Sequence, residues 1–344
     1  MHLSIRRIVL VSAATLLIST ILNAGPSGYH VTKTIKLGGD GGWDYLTVDA
    51  KARRIYISRG THVMVVDADK GALLGDIPNT NGVHGIAIAP DMDKGFISDG
   101  RDNNVTIFDV NTLKVLGTAP TGKNPDAIIY DPSSKRVFAF NGSSNDATAI
   151  DARTGTVAGT IALGGKPEFA VADEKGHVFV NIEDTSEIVQ FNSNKLTVES
   201  RWKISPGEEP SGLAIDRKQR RLFSVCSNKL MVVVDADNGK VITTLPIGPG
   251  TDAAGFDSET GFAFSSNGGD GTLTVAHEDT PDKFAVVENV PTLRRARTMA
   301  LDTKTHQVYT VTAEFGAAPA ATKAQPRPRP PMVPGSFTLL ILSR

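Results

Sequence analysis

The sequence predicts an all-β fold, a seven-bladed β-propeller made of four-stranded antiparallel blades. A repeated pattern recurs about every 42 residues, and each copy contains short apolar strands rich in Val, Ile and Thr. The chain also has 33 glycines and 19 prolines, as expected for many tight turns, and shows little helical periodicity. Repeats of about 40–45 residues with four strands each are typical of propeller blades.

Seven positions mark the repeat, each at the end of an apolar strand and most of them occupied by aspartate. They are Asp49, Ala89, Asp131, Ala172, Asp216, Asp257 and Asp302. The strand that ends at each marker is the first of its blade. First strands are predicted at 45–49, 85–89, 127–131, 168–172, 212–216, 253–257 and 298–302.

A polar turn follows each marker and leads to the second strand. Second strands are predicted at 55–58, 95–98, 137–140, 178–181, 222–225, 262–265 and 308–311. Third strands are predicted at 62–67, 104–109, 147–151, 187–191, 230–235, 271–276 and 336–342. Fourth strands are predicted at 73–77, 113–118, 156–161, 197–203, 240–245 and 284–289, so the last blade lacks one.

The segment from His30 to Leu37 is predicted to supply that missing strand. It alternates apolar and polar residues, as a half-buried strand does, and it precedes the first strand of the first blade. Pairing with the strand near Ser336–Ser343 would complete the last blade and close the ring. A closed ring removes the open sheet edges that otherwise pair with other chains.

Residues 1–24 are predicted to be a signal peptide, and residues 25–344 the propeller. Arg6 and Arg7 precede an apolar run that ends at Leu22, and the small residue Ala24 follows. This order is typical of secretory signals, so we expect a periplasmic or secreted protein with no membrane span after cleavage. An uncleaved anchor is the alternative.

Residues 316–335 are predicted to be a proline-rich insertion in the last blade, between its second and third strands. The segment contains six prolines and little apolar bulk, so an extended conformation is favoured. It is interpreted either as a surface loop or as a lid or partner-binding strip. Lys323, Arg327 and Arg329 make it basic, which would suit an anionic ligand.

The formal net charge is −1, which gives no electrostatic case for binding nucleic acid or anionic lipid. Cys226 is the single cysteine, so no intramolecular disulfide can form. Cys226 ends an apolar strand and is interpreted as a small core residue, with a reactive thiol as the alternative. We expect a monomer.

Several motifs make the chain resemble the YVTN-repeat, YncE-like secreted β-propellers over residues 30–344. The motifs are Pro125–Asn141 with a looser copy at Pro167–Asn181, and the turns Ile150–Gly155 and Val234–Gly239. The resemblance implies the propeller fold and export. Some members are implicated in DNA binding, so nucleic acid stays a possible partner by that analogy. More distant seven-bladed chains serve as parts of oxidoreductases, and the resemblance carries no specific activity across.

Candidate ligand-binding residues come from the position five residues before each marker, where the chain reaches the mouth of the central channel. These positions hold Asp44, His84, Asp126, Pro167, Ser211, Asp252 and Arg297, with Glu168 one place away. The predicted binding residues are Asp44, His84, Asp126, Glu168, Asp252 and Arg297. Strict symmetry would require one residue type, whereas acids, a histidine and an arginine occur.

Three interpretations of this mouth stay open. The carboxylates could accept hydrogen bonds from neighbouring blades, with Arg297 neutralising one of them. They could form a polar site for a small ligand. His84, Asp126, Glu168 and Asp252 could bind a divalent cation, since carboxylates with one imidazole suit calcium, magnesium or manganese. The cofactor is therefore unknown, with a divalent cation possible.

Other patterns are interpreted as structural. Asn267–Gly271 is predicted to be a hairpin turn rather than a phosphate loop. The turns at 59–62, 99–104 and 183–187 are expected to be solvated. Arg294, Arg295 and Arg297 form a basic cluster that is interpreted as a solvated loop. The alternative is a basic patch with Arg327 and Arg329 that could bind carboxylate or phosphate beside the mouth.

The leading functional prediction is an exported, non-catalytic binding or scaffold propeller that engages a protein partner or a small anionic ligand at the channel mouth. One alternative is a metal-dependent hydrolase resembling propeller lactonases, with a metal-polarised carbonyl and a carboxylate base. Another is an accessory subunit of a periplasmic redox system. Acids and an imidazole within about 5 Å would favour the hydrolase, whereas an arginine in the mouth would favour the binding protein.

Overall fold

The computed structural model describes residues 26–320 and 328–344. Within these ranges the chain forms 27 strands in six antiparallel sheets and no α-helix, so no apolar helix long enough to cross a bilayer occurs there. The predicted signal peptide at 1–24 and the centre of the predicted insertion, 321–327, lie outside the described residues.

The strands are numbered in chain order, beginning with β1 at His30–Lys36. The next sheet contains β2 Leu46–Asp49, β3 Arg54–Ser58, β4 Gly60–Asp67, β5 Leu73–Ala89, β6 Lys94–Asp99, β7 Asn104–Asp109 and β8 Val115–Pro120. Two four-stranded sheets follow, with β9 Pro125–Asp131, β10 Arg136–Asn141, β11 Asp146–Asp151 and β12 Val157–Ala162, then β13 Pro167–Ala172, β14 His177–Ile182, β15 Glu187–Asn192 and β16 Thr197–Lys203.

The remaining sheets are also four-stranded. One contains β17 Pro210–Asp216, β18 Arg221–Cys226, β19 Leu230–Asp235 and β20 Val241–Pro246, and the next contains β21 Thr251–Asp257, β22 Phe262–Asn267, β23 Thr272–Thr280 and β24 Lys283–Pro291. The last contains β25 Met299–Asp302, β26 Gln307–Thr312 and β27 Thr338–Ser343, with β1 at its edge.

This architecture confirms the predicted all-β fold of four-stranded antiparallel sheets arranged like propeller blades. Outside β5, strand ends differ from the predicted ones by at most four residues. The main difference is β5, one 17-residue strand where two were predicted. Its first part pairs with β4 and its second part with β6, which joins two four-stranded units into one seven-stranded sheet.

The N-terminal strand β1 pairs with the C-terminal strand β27 in antiparallel register, for example Thr34 with Leu340. Tyr29, just before β1, is 2% exposed and packs edge-on against Phe264. Its hydroxyl group donates to the carbonyl oxygen of His306 at 2.8 Å. Both ends of the chain therefore contribute to the last sheet.

The first strands of successive sheets lie next to one another, and β25 in turn contacts β2. The apolar core lies between neighbouring sheets rather than within one of them. Phe138 and Phe191 come from different sheets and pack at 5.2 Å, as do Phe223 and Phe256 at 4.9 Å. Cys226 is fully buried in this core, in agreement with its interpretation as a core residue.

The recurrent aspartates form turns. The Asp49 carboxylate accepts hydrogen bonds from the backbone N–H groups of Lys51 and Ala52, both at 2.9 Å. At the turn between β4 and β5, Asp67 does the same for Asp69 and Lys70. Aspartate side chains that mimic a backbone turn are favoured at such positions. The repeated sequence pattern therefore reflects the aspartate turns as well as the strands between them.

The proline-rich insertion has a paired base. Gly316 N–H donates to the carbonyl oxygen of Pro331 at 2.9 Å, and Val333 N–H donates to that of Glu314 at 2.9 Å. Phe315 and Met332 form an isolated β-bridge at the same place. These bonds bring the two ends of the insertion together, and Phe315, Arg329 and Pro330 line one cavity with Arg297.

Candidate functional site

The predicted site residues stand at the starts of the first strands. Asp126, Glu168 and Asp252 are each the second residue of a first strand, β9, β13 and β21. Asp44 and Arg297 each lie two residues before one, β2 and β25, and His84 lies within β5. Because the first strands of successive sheets are neighbours and β25 contacts β2, residues as distant in sequence as Asp44 and Arg297 come into contact.

Asp44, His84 and Asp126 form the centre of the site. His84 Nδ1 lies 2.6 Å from Asp44 Oδ2 and 3.5 Å from Asp126 Oδ1. One donor atom from each residue lies within 4.8 Å of the other two, which is the spacing that could hold a metal ion. Glu168 and Asp252, predicted for the same metal set, are not in this group.

Arg297 links two of the carboxylates. Its Nη2 donates to Asp44 Oδ1 at 3.0 Å, and its Nη1 contacts Asp252 Oδ2. Both oxygens of Asp44 are therefore engaged, one by Arg297 and the other by His84. A metal ion at this centre would have to replace one of these partners and would be repelled by the guanidinium charge.

Lys166 pairs with Glu168 and Glu183 on the other side of the mouth. Its Nζ lies 2.7 Å from Glu168 Oε1 and also contacts Glu183 Oε2. Lys166 was not predicted as a site residue, and Glu183 was assigned to a solvated turn. The signal for Lys166 was its place directly before Pro167, one of the predicted mouth positions.

Burial makes two of the carboxyl groups weaker acids than usual. Burial raises the pKa of Asp126 to about 6, against the opposing effect of the His84 charge. Burial and the nearby Asp126 charge raise the pKa of Glu168 to about 7, so Lys166 compensates it only in part. For His84, burial lowers the pKa, but the hydrogen bond to Asp44 and the charges of Asp126 and Asp44 outweigh it, and the pKa is raised.

Two cavities meet at this site, and each has a dominant charge. The first, which we call the acidic pocket, has a volume of about 300 Å³. Its lining includes Asp126, Glu168, Glu183, Glu209, Asp252 and Arg297. Tyr45 also lines this pocket and packs against Phe169 at 5.3 Å. The burial of Tyr45 and the nearby carboxylates raise its pKa well above the usual value, so its hydroxyl group stays neutral.

The second cavity, which we call the arginine pocket, has a volume of about 550 Å³. Its lining includes Trp43, Arg295, Arg297, Phe315, Arg329 and Pro330. The Arg295 guanidinium lies 3.7 Å from the centre of the Phe315 ring, and the Trp43 and Phe315 rings lie 6.0 Å apart. A third cavity of about 440 Å³, lined by His84 among others, also includes Arg297 and Arg329.

Sequence patterns missed the aromatic wall and part of the polar network. Trp43 was not among the predicted site residues, and Phe315 lies just before the segment 316–335, which was predicted to be extended. Arg59 and Asp99, assigned to solvated turns, are 0% and 1% exposed. Arg59 donates to the carbonyl oxygens of Gly39 and Asp40 and so shapes the loop that carries Trp43.

No protein-family model and no curated protein matches this chain. Solved structures do resemble it. A chain of hydrazine synthase from Kuenenia stuttgartiensis aligns with a TM-score of 0.68 and 14% identity, over 80% of this chain and 94% of that one. U3-55K aligns with a TM-score of 0.73 and 10% identity, over 92% of this chain and 99% of that one. Both are propeller-type folds, and at these identities the likeness shows the fold alone.

Proposed function

We propose that this protein is a non-catalytic binding propeller that holds a small anionic ligand, or an acidic segment of a partner protein, at the mouth of its channel. The supporting observation is the arginine pocket, where Arg295, Arg297 and Arg329 surround a space walled by Trp43 and Phe315. Among the described residues, Arg295 and Arg329 have no carboxylate within ion-pair distance. The remaining segments, 1–25 and 321–327, contain no Asp or Glu. Guanidinium groups bind carboxylate and phosphate through paired hydrogen bonds.

The scaffold in this proposal is a ring of seven blades closed by β1. Three features support it: the β1–β27 pairing, the contact of β25 with β2, and the ion pair between Arg53 and Asp302. The seven-stranded sheet then counts as two blades joined through β5. Membership of the YVTN-repeat, YncE-like group and export to the periplasm or beyond belong to the same proposal, supported by the sequence motifs and the leader-like residues 1–24.

Calorimetric titration of the purified mature protein with benzoate, alkanoates and inorganic phosphate tests the proposal. Replacing Arg295 or Arg329 with Gln should weaken binding of the best anion by about 10- to 100-fold, because a hydrogen bond to a charged group contributes about 1.5–3 kcal/mol. Arg217→Gln is the matched control, since Arg217 is half-exposed and pairs with Glu174 away from the mouth. The proposal is wrong if no anion binds, or if both pocket variants bind as the unmodified protein does.

A metal-dependent hydrolase is the second candidate, favoured by the close approach of Asp44, His84 and Asp126. These residues would hold the metal, which would polarise a carbonyl group, and Glu168 lies nearby as a carboxylate. The mouth therefore has the feature that favours the hydrolase, acids and an imidazole at short range. It also has the feature that favours the binding protein, an arginine. We place the binding function first because both oxygens of Asp44 already have partners.

Metal analysis of the purified protein separates the two candidates. Dialysis against calcium, manganese or zinc should leave less than one equivalent bound, and these ions should not raise the melting temperature. Asp126→Ala and Asp252→Ala variants serve as controls for adventitious binding. One equivalent of metal that is lost with Asp126→Ala and kept with Asp252→Ala would favour the hydrolase instead.

A further inference from the structure

We propose that the ligand is a zwitterion, whose anionic group lies in the arginine pocket and whose ammonium or guanidinium group lies in the acidic pocket. This inference rests on the proposed function and specifies the class of ligand that the same mouth takes. The observation behind it is that two adjoining cavities carry opposite charge and share one side chain, Arg297.

The acidic pocket has more negative than positive charge. Its lining contains six carboxyl groups and one cationic side chain, Arg297. Lys166, next to the lining, pairs with two of the six, Glu168 and Glu183. Arg297 pairs with two more, Asp44 and Asp252. The imidazole of His84, also next to the lining, contacts Asp44 and Asp126. Glu209 is the one acid of the lining that none of these three side chains contacts, so a further positive charge would be stabilised there.

Glu209 is the acid in this pocket best placed to receive that charge. Its Oε2 accepts a hydrogen bond from Ser227 Oγ at 2.9 Å, and among the described residues it has no cationic partner within ion-pair distance. Ser211 and Thr251 also line the pocket and supply hydroxyl oxygens. Carboxylate and hydroxyl oxygens are the acceptors that the three N–H donors of an ammonium group need.

The arginine pocket has the opposite balance, with three guanidinium groups and no acidic residue in its lining. The aromatic rings of Trp43 and Phe315, together with Pro330, give it apolar walls. An anion that also carries a planar or apolar group would therefore fit better than phosphate alone, because burying apolar surface adds to the charge pairing.

Arg297 sets the distance between the two charged ends of the ligand. It lines both pockets and is held in place by Asp44 and Asp252, so a bound ligand must pass beside it. A metal ion or a simple carboxylate can occupy one pocket only. A molecule with a spacer between its charges can occupy both, and its binding free energy then includes both ion pairs.

Titration with two matched compound series tests this inference: 4-alkylbenzoates and 4-(ω-aminoalkyl)benzoates with one to four methylene groups. At pH 8 we expect the amine to increase affinity at least tenfold for one or two spacer lengths. The measured quantity is the affinity ratio between the amine and its amine-free partner. Glu209→Gln should bring that ratio close to one, whereas Glu174→Gln, which changes an exposed acid paired with Arg217, should leave it unchanged.

Three other results of these titrations would contradict the zwitterion inference or the proposed function. If benzoates bind and the amine gives no gain at any spacer length, the zwitterion inference is wrong and the anion-binding proposal stands. If alkylamines without a carboxylate bind as tightly as the aminoalkylbenzoates, the two pockets act separately and the inference is again wrong. If neither series binds, the proposed function itself fails.

Discussion

At the scale of single residues, the mouth is a network in which each charged group alters its neighbours. Arg297 bridges Asp44 and Asp252, and Asp44 also holds His84. Lys166 compensates Glu168 only in part, because burial and the Asp126 charge still raise the pKa of Glu168 to about 7. The site therefore holds carboxylates that are stabilised when a proton or another cation binds.

The raised pKa of Glu168 predicts that the folded state loses stability as the pH rises. The folded protein binds this proton more tightly than the unfolded chain, whose glutamates have a pKa of about 4.3. The charged carboxylate therefore destabilises the folded state above pH 7, and this effect disappears as the pH falls toward 4. Glu168→Gln should raise the free energy of unfolding by about 1–3 kcal/mol at pH 8 and have little effect at pH 4.5.

Thermal or urea unfolding at the two pH values measures this difference. Glu174→Gln is the control, because Glu174 forms an exposed ion pair with Arg217 that contributes little stability. A loss of stability at pH 8 would show that the Lys166–Glu168 ion pair outweighs the burial of the carboxylate. An equal change at both pH values would show that ionisation of Glu168 does not cause the effect.

The polar residues of the mouth were predicted only from their equivalent positions in successive repeats. Asp44, His84, Asp126, Asp252 and Arg297 occupy equivalent places in different repeats, and equivalent places meet around the axis. Lys166 and Trp43 were not predicted because each lies one residue before the chosen position of the repeat. Their positions depend on side-chain packing and loop paths, such as the carbonyl contacts of Arg59, which have no periodic signal.

At the scale of elements, strand prediction succeeded because each repeat contains its own turn chemistry. Aspartates such as Asp49 and Asp67 bond to backbone N–H groups two and three residues ahead, so turns recur with the strands. The continuous β5 was not predicted, since separate strands were placed at 73–77 and 85–89. The segment between them contains Pro78 and Gly82, residue types that are typical of turns. Pairing on both sides, with β4 and with β6, overrides that local signal.

Deleting residues 29–38 should prevent folding, because it removes β1 and exposes the β27 edge and the apolar faces next to it. Circular dichroism and size-exclusion chromatography should show an unfolded or aggregated product. Tyr29→Ala is the milder variant and should cost about 3–5 kcal/mol, as for other large aromatic side chains in a core. Tyr29→Phe, which loses only the hydrogen bond to His306, should cost about 1 kcal/mol.

A soluble truncation that unfolds cooperatively would contradict the proposed closure. Near-equal stabilities of Tyr29→Ala and Tyr29→Phe would contradict the packing role given to this ring against Phe264.

At the scale of the whole molecule, each sheet packs against its neighbours, and ionic contacts cross the junctions. Arg53 pairs with Asp302, Arg220 with Asp173 at 3.0 Å, and Lys135 with Asp91 at 2.7 Å. The first of these joins the beginning and the end of the chain. The mouth draws its residues from most of the sheets, so any ligand site there depends on how the sheets pack against one another.

The pairing of β1 with β27 also fixes where the two ends of the folded polypeptide lie. Gly28 and Arg344 are close enough that a side chain built on Gly28 would reach that of Arg344 at 4.0 Å. A short peptide could therefore join residue 344 to residue 28, and the backbone could be opened at the proline-rich segment instead. Such a circular permutant would keep every strand pairing, and the described residues that flank its new ends, Phe315 and Arg329, line the arginine pocket.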